Sequence, residues 1–102
     1  MYMEEYNVKI MSSAQIDVLD IVEYLNTLAP EAAVQYYDLF VERAESLKTA
    51  PERCPPAKDT QLRLRGYRTL PVNDYSVFFV VRNDNVEIRR VLYSKRQYEW
   101  LF

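Results

Sequence analysis

Histidine is absent from the 102-residue sequence, and cysteine and glycine occur once each, as Cys54 and Gly66. Without histidine, Ser–His and Cys–His nucleophilic chemistry is excluded, and one cysteine makes no zinc or haem ligand set. No metal and no cofactor is therefore expected. A lone cysteine permits no internal disulfide framework and fits a reducing cytoplasm. Long apolar runs are missing too. The longest, residues 77–81, has five members, against the ~18–20 of a membrane-spanning helix. Glu4 and Glu5 stand where a secretory leader would carry positive charge followed by an apolar stretch. Aromatic residues, by contrast, are plentiful, with nine Tyr, four Phe and one Trp, which argues against a disordered chain. The length suits one compact domain over residues 1–102.

Positive charge is scarce in the first half only. Residues 1–50 hold three basic and nine acidic side chains, whereas residues 51–102 hold ten basic and six acidic ones. A basic half on a mildly acidic chain points to a local anionic partner or a partner-protein surface. Solvation of exposed strand faces by Arg and Lys would produce the same bias.

The periodicity divides the chain into strand, two helices and three strands. Tyr6-Asn7-Val8-Lys9-Ile10 alternates apolar and polar residues, as a half-buried strand does. Ser12 and Ser13 offer hydroxyl caps, Asp17 adds negative charge near the first turn, and Ala14, Val18, Ile21, Leu25 and Leu28 then line one helical face. Ile16, Leu19 and Val22 widen that stripe. Ala29-Pro30 ends the first helix, and Pro30 with Glu31 suits the first turn of a second, on which Ala33, Tyr37, Phe40, Ala44 and Leu47 recur at helical spacing. So short a link predicts an antiparallel helical hairpin. Pro51, Pro55 and Pro56 keep the next stretch extended and irregular. Tyr67 to Val72 reads as a strand that Pro71 confines to an edge or a bulge. Asn73-Asp74 is a turn, residues 75–81 a central strand, Asn83-Asp84-Asn85 a second turn, and residues 86–93 the last strand. Its register is ambiguous after Val86, Ile88 and Arg90. One or two helical turns are expected over residues 94–102. The sum is an α+β domain of order β-α-α-β-β-β, with the hairpin on one face of a twisted antiparallel sheet.

This order, with these residues, resembles the RelE/ParE superfamily of bacterial type II toxins, which includes plasmid stabilisation proteins. The resemblance is carried by Tyr6 to Ile10 and by Ala14 with Asp17-Val18-Leu19-Asp20-Ile21-Val22-Glu23-Tyr24-Leu25. It continues through Leu47 to Arg53, Gly66-Tyr67-Arg68-Thr69-Leu70-Pro71-Val72-Asn73-Asp74-Tyr75, and Val86 to Arg96. It implies a small cytoplasmic toxin that inhibits growth and is neutralised by a cognate antitoxin. Two modes of action come with it: mRNA cleavage within the ribosome, or poisoning of DNA gyrase. A third reading is a non-toxic remnant that only pairs with its antitoxin.

A nuclease needs a group to take the 2′-hydroxyl proton, cations for the phosphate and a donor for the leaving oxygen. The resemblance makes Arg68, Lys95 and Arg96 the candidates, and Tyr98 could substitute for the family's tyrosine if it turned inward. Two positions depart from the nuclease pattern. Ser76 follows Tyr75 where those enzymes carry an Arg, and their C-terminal Tyr falls on Phe102, which has no hydroxyl. A gyrase-binding protein needs only an exposed surface with anchors, and Arg65, Arg90, Lys95, Arg96, Tyr98 and Trp100 are the candidate target-binding residues. Alternatively, Trp100, Leu101 and Phe102 pack back over the sheet. Arg63 and Arg65 are expected on a strand edge, with Leu62 and Leu64 facing inward. For the antitoxin, the wide stripe on the first helix and the Pro-marked edge strand suggest a helix in a groove or a strand added to the edge.

Overall fold

The computed structural model describes residues 5–96 and 101–102. Its order is β1 (Asn7–Ile10), α1 (Ser12–Leu28), α2 (Pro30–Ser46), a 3-10 turn (Pro51–Arg53), α3 (Thr60–Leu64), β2 (Arg68–Val72), β3 (Tyr75–Arg82) and β4 (Asn85–Tyr93). The α+β class and the hairpin over the sheet stand as the patterning predicts. One pairing differs from an all-antiparallel sheet. The strands lie in the order β1-β4-β3-β2, and β1 runs parallel to β4, so the sheet is mixed. Two helices separate β1 from the meander, and their crossover returns the chain in the direction of β1.

Both hairpin turns, Asn73-Asp74 and Asn83-Asp84, place an Asn at positive φ, a conformation this residue tolerates best after glycine. β3 alternates its two Phe residues between faces: Phe79 belongs to the core under the helices, and Phe78 to a second core on the opposite face. The ambiguous register of β4 has a cause. Phe79 pairs with Ile88 and Phe78 with Arg90, so Arg89 is an extra, bulged residue that switches the inward set from Val86 and Ile88 to Val91.

The helix faces need correction at three points. Met11, not a serine, is the cap residue of α1 and makes no side-chain cap bond, while Ser12 and Ser13 lie inside the helix. Asp17 is beyond the first turn, which holds no acidic residue. On α2 the buried stripe is Ala33, Tyr36, Phe40 and Ala44, whereas Tyr37 is half exposed. Adjacent helical residues diverge by about 100°, so only one of the two tyrosines can point into the core.

The stretch after the prolines is not all irregular, because α3 forms there. Asp59 caps it, its carboxylate accepting from the Leu62 N–H at 3.0 Å. Gly66, at φ 86°, closes it: the N–H of Tyr67 bonds the Leu62 carbonyl and that of Gly66 bonds the Arg63 carbonyl, the paired bonds of a Schellman end. Arg63 and Arg65 therefore sit on a helical turn and its cap, not on a strand edge. Leu62 is buried as expected, but Leu64 is 81% exposed. Of the expected C-terminal helix, Arg96 closes a turn onto Tyr93; residues 97–100, including Tyr98 and Trp100, lie outside the described residues.

Candidate functional surface

The edge of β4 is open where β1 ends at Ile10, because residues 89–93 have no strand beside them on that side. Asp17, on the fifth residue after Ser12, covers this gap. Its carboxylate accepts the Val91 N–H at 2.9 Å and is held by the Arg90 guanidinium through Nε at 2.8 Å and an Nη at 2.9 Å. The remaining Arg90 Nη donates to the Leu101 carbonyl at 2.9 Å. One guanidinium thus ties α1, β4 and the chain's end together, in bidentate geometry that favours Arg over Lys. The Asp17 bond is the largest cause that raises the Arg90 pKa above its ordinary value.

Arg68 is also engaged inside the fold. It donates to the carbonyls of Cys54 and Glu52 at 2.7 and 3.2 Å, fixing the Pro-rich loop against β2. Arg63 does the same for the Ala57 and Lys58 carbonyls. Arg89 donates twice to Glu87 and once to the Tyr67 hydroxyl, and its bond to Glu87 is what chiefly holds that carboxyl below its usual range. Arg65 is exposed, with its guanidinium 5.4 Å from the Tyr67 ring centre. Burial keeps the Cys54 thiol above its ordinary pKa, which makes it a poor nucleophile.

Lys95 and Arg96 are exposed at the far end of the sheet. Ser94, just before them, bonds the Asp74 carbonyl, and its hydroxyl pairs with that of Ser76 at 2.8 Å. Arg68 stands beside Phe79, five residues from Asp74 along β3. At ~3.3 Å per residue the two ends lie roughly 16 Å apart, so the fold does not gather Arg68 with Lys95 and Arg96. Phe102 packs edge-on against Tyr67 and Phe78, with ring centres 5.1 and 5.2 Å away. Leu101 and Phe102 thus pack back over the sheet, as the alternative to an exposed anchor predicts. Arg68 therefore lies apart from Lys95 and Arg96, and the fourth nuclease candidate, Tyr98, lies outside the described residues.

The helical hairpin offers a different kind of surface. Ile16, Leu19, Val34 and Tyr37 are each at least half exposed, and a cavity of about 310 Å³ is lined by Ile10, Gln15, Val18, Leu19, Tyr37 and Phe40. The widened stripe on α1 signals this groove in the sequence. On α2, Tyr36 and Tyr37 with Phe40 read in the sequence as core and groove, and Tyr37 and Phe40 line this cavity.

A family profile described as the ParE toxin of the type II toxin–antitoxin system parDE matches residues 8–98. Among solved structures, the chain is similar to one from the chromosomal ParDE toxin–antitoxin system of P. aeruginosa. That likeness has 21% identity and a TM-score of 0.76, covering 90% of this chain and 99% of the other. It is also similar to a chain of the RelBE2 toxin–antitoxin complex of Mycobacterium tuberculosis, at 22% identity and a TM-score of 0.61, covering 90% and 94%. At these identities the structural likenesses establish the fold. No curated protein matches the sequence.

Proposed function

The chain belongs to the ParE toxin family of type II toxin–antitoxin systems, and from that premise we propose that it inhibits growth by binding DNA gyrase, without nuclease chemistry of its own. The observation that carries this reading is the separation just described: Arg68 is bonded into a loop while Lys95 and Arg96 lie at the other end of β3. A preorganised charge stabiliser contributes about 10²–10³ in rate, and here the strand position is Ser76 and the C-terminal one Phe102. A binding mechanism needs no such constellation. Exposed Arg65, Lys95 and Arg96, with Tyr98 and Trp100 of the tail, supply residue types common at interface anchors.

Purified protein should inhibit gyrase supercoiling or trap its cleavage complexes. Toe-printing of mRNA on ribosomes should show no added A-site cuts; such cuts without any effect on gyrase would replace this reading with the nuclease one. Inactivity in both assays would leave a remnant that only binds its antitoxin.

The second partner is a cognate antitoxin, seated in the hairpin groove. The groove is supported over the sheet edge because the start of β2 is already covered: the Thr69 N–H bonds Pro55, and the Tyr67 carbonyl accepts from Ala57. What remains of that edge includes Pro71, which has no N–H and whose carbonyl accepts from Arg43 at 3.2 Å. Leu19→Asp should prevent co-purification with the antitoxin while the free toxin stays folded.

A further inference from the structure

We propose that the corner where α1, α2 and the β2–β3 turn meet is a binding site for a cationic side chain, an arginine presented by a protein partner. The proposal does not rest on gyrase being the target. A half-open cavity of about 170 Å³ lies there, lined by Leu25, Gln35, Tyr36, Asn73, Asp74 and Tyr75. Its volume is roughly ten or more times the ~10–15 Å³ that one water needs.

The lining is built for positive charge. Tyr75 meets Tyr36 edge-on at 5.3 Å between ring centres and Tyr93 at 5.8 Å, which sets its ring at a steep angle to each of theirs. Ring faces carry the negative end of the aromatic quadrupole and attract cations within about 6 Å. The Asp74 carboxylate makes no ion pair among the described residues, and the carboxamides of Gln35 and Asn73 bring further acceptor oxygens. The hydroxyl of Tyr36, a residue only 3% exposed, has no hydrogen-bond partner among the described residues.

The electrostatics agree with the geometry. Burial first, then the neighbouring Tyr24, Asp74 and Tyr93, raise the Tyr75 hydroxyl pKa, and of these neighbours the Asp74 carboxylate is the one that is charged near neutral pH. Lys95 follows Ser94, which bonds the Asp74 carbonyl, yet no ion pair joins Lys95 to Asp74. Arginine suits the site better than lysine, because a planar guanidinium stacks on a ring while its donors reach several acceptors at once. It is also the more weakly hydrated of the two.

The test is an NMR titration of the intact, ring-labelled protein with methylguanidinium, set against the neutral isostere methylurea. Methylguanidinium should shift the Tyr36 and Tyr75 ring signals saturably, with a dissociation constant near ~10 mM, a weak-contact affinity for one small cation. Asp74→Asn, which suits a turn, should weaken binding about tenfold, and Tyr75→Leu should weaken it too. Absence of saturation, equal shifts with methylurea, or affinity unchanged in Asp74→Asn would overturn the proposal. Repeating the titration on the toxin–antitoxin complex identifies the source. Blocked binding assigns the arginine to the antitoxin, and retained binding assigns it to another protein.

Discussion

The two faces of the sheet are closed in different ways. Under the helices, Val18, Ile21, Tyr36 and Phe40 meet Val77, Phe79 and Ile88 in one continuous core. On the other face a smaller core of Ala57, Leu62, Tyr67, Phe78, Val80 and Leu92 lies beneath a Pro-rich loop, one turn of helix and the chain's last two residues. Regular helices bring their own backbone bonds, whereas an irregular cover has carbonyls that need outside donors. Arg63, Arg68 and Arg90 meet that need, each donating to loop or tail carbonyls. Much of the positive charge in the second half is therefore structural, and the part free for a target is smaller than composition suggests.

The sharpest way to break this comparison is a matched pair of truncations. Phe79→Ala, under the rigid helices, should cost about 3–5 kcal/mol, seen as a fall in the denaturant midpoint. Phe78→Ala should cost less, about 2–3 kcal/mol, because the loop and tail can collapse into the space. Equal losses would show that both covers are equally rigid. Next, Asp17→Ala should cost about 3 kcal/mol by stranding Arg90 and the Val91 N–H in a largely buried setting. Replacing both partners, as Asp17→Leu with Arg90→Met, should recover part of that loss. Phe102→Ala should cost about 1–2 kcal/mol, read by thermal melting, since its ring is only partly buried.

Smaller effects sharpen the charge side. Glu87 has a lowered pKa in the fold, so its pairing with Arg89 stabilises the protein above the ordinary carboxylate pKa, and that stabilisation is lost as pH falls through the lower folded value. Glu87→Gln should therefore lower the neutral-pH plateau of a stability–pH curve slightly and leave the acid end nearly unchanged, flattening the acid limb. Lys95→Ala should alter stability by under about 0.5 kcal/mol yet reduce growth inhibition, if exposed tail cations meet the target.

How far the sequence was legible follows the same division. The helix and strand periods of Ala14, Val18, Ile21 and of residues 75–81 came through because each buried face repeats along the chain. Tyr37 was placed on the buried stripe that Tyr36 fills, because period alone permits either neighbour in that slot. α3 was missed although Asp59 and Gly66, its cap and its stop, are both visible, because five helical residues give no period to detect. For the candidate site, the identities of Arg68, Lys95, Arg96 and Phe102 were readable, but their distribution over the two ends of β3 was not.

By itself the sequence determined the class of fold, the absence of histidine and disulfide chemistry, and the two positions where a nuclease pattern fails. Local propensity and periodicity act over a few residues, which is the range a linear reading can reach. Only the tertiary structure decided which arginines are bonded inward, that β1 lies parallel to β4, and that Tyr36, Tyr75 and Asp74 share one corner. Each of those depends on residues brought together from distant parts of the chain, where packing sets the partner and spacing along the backbone does not.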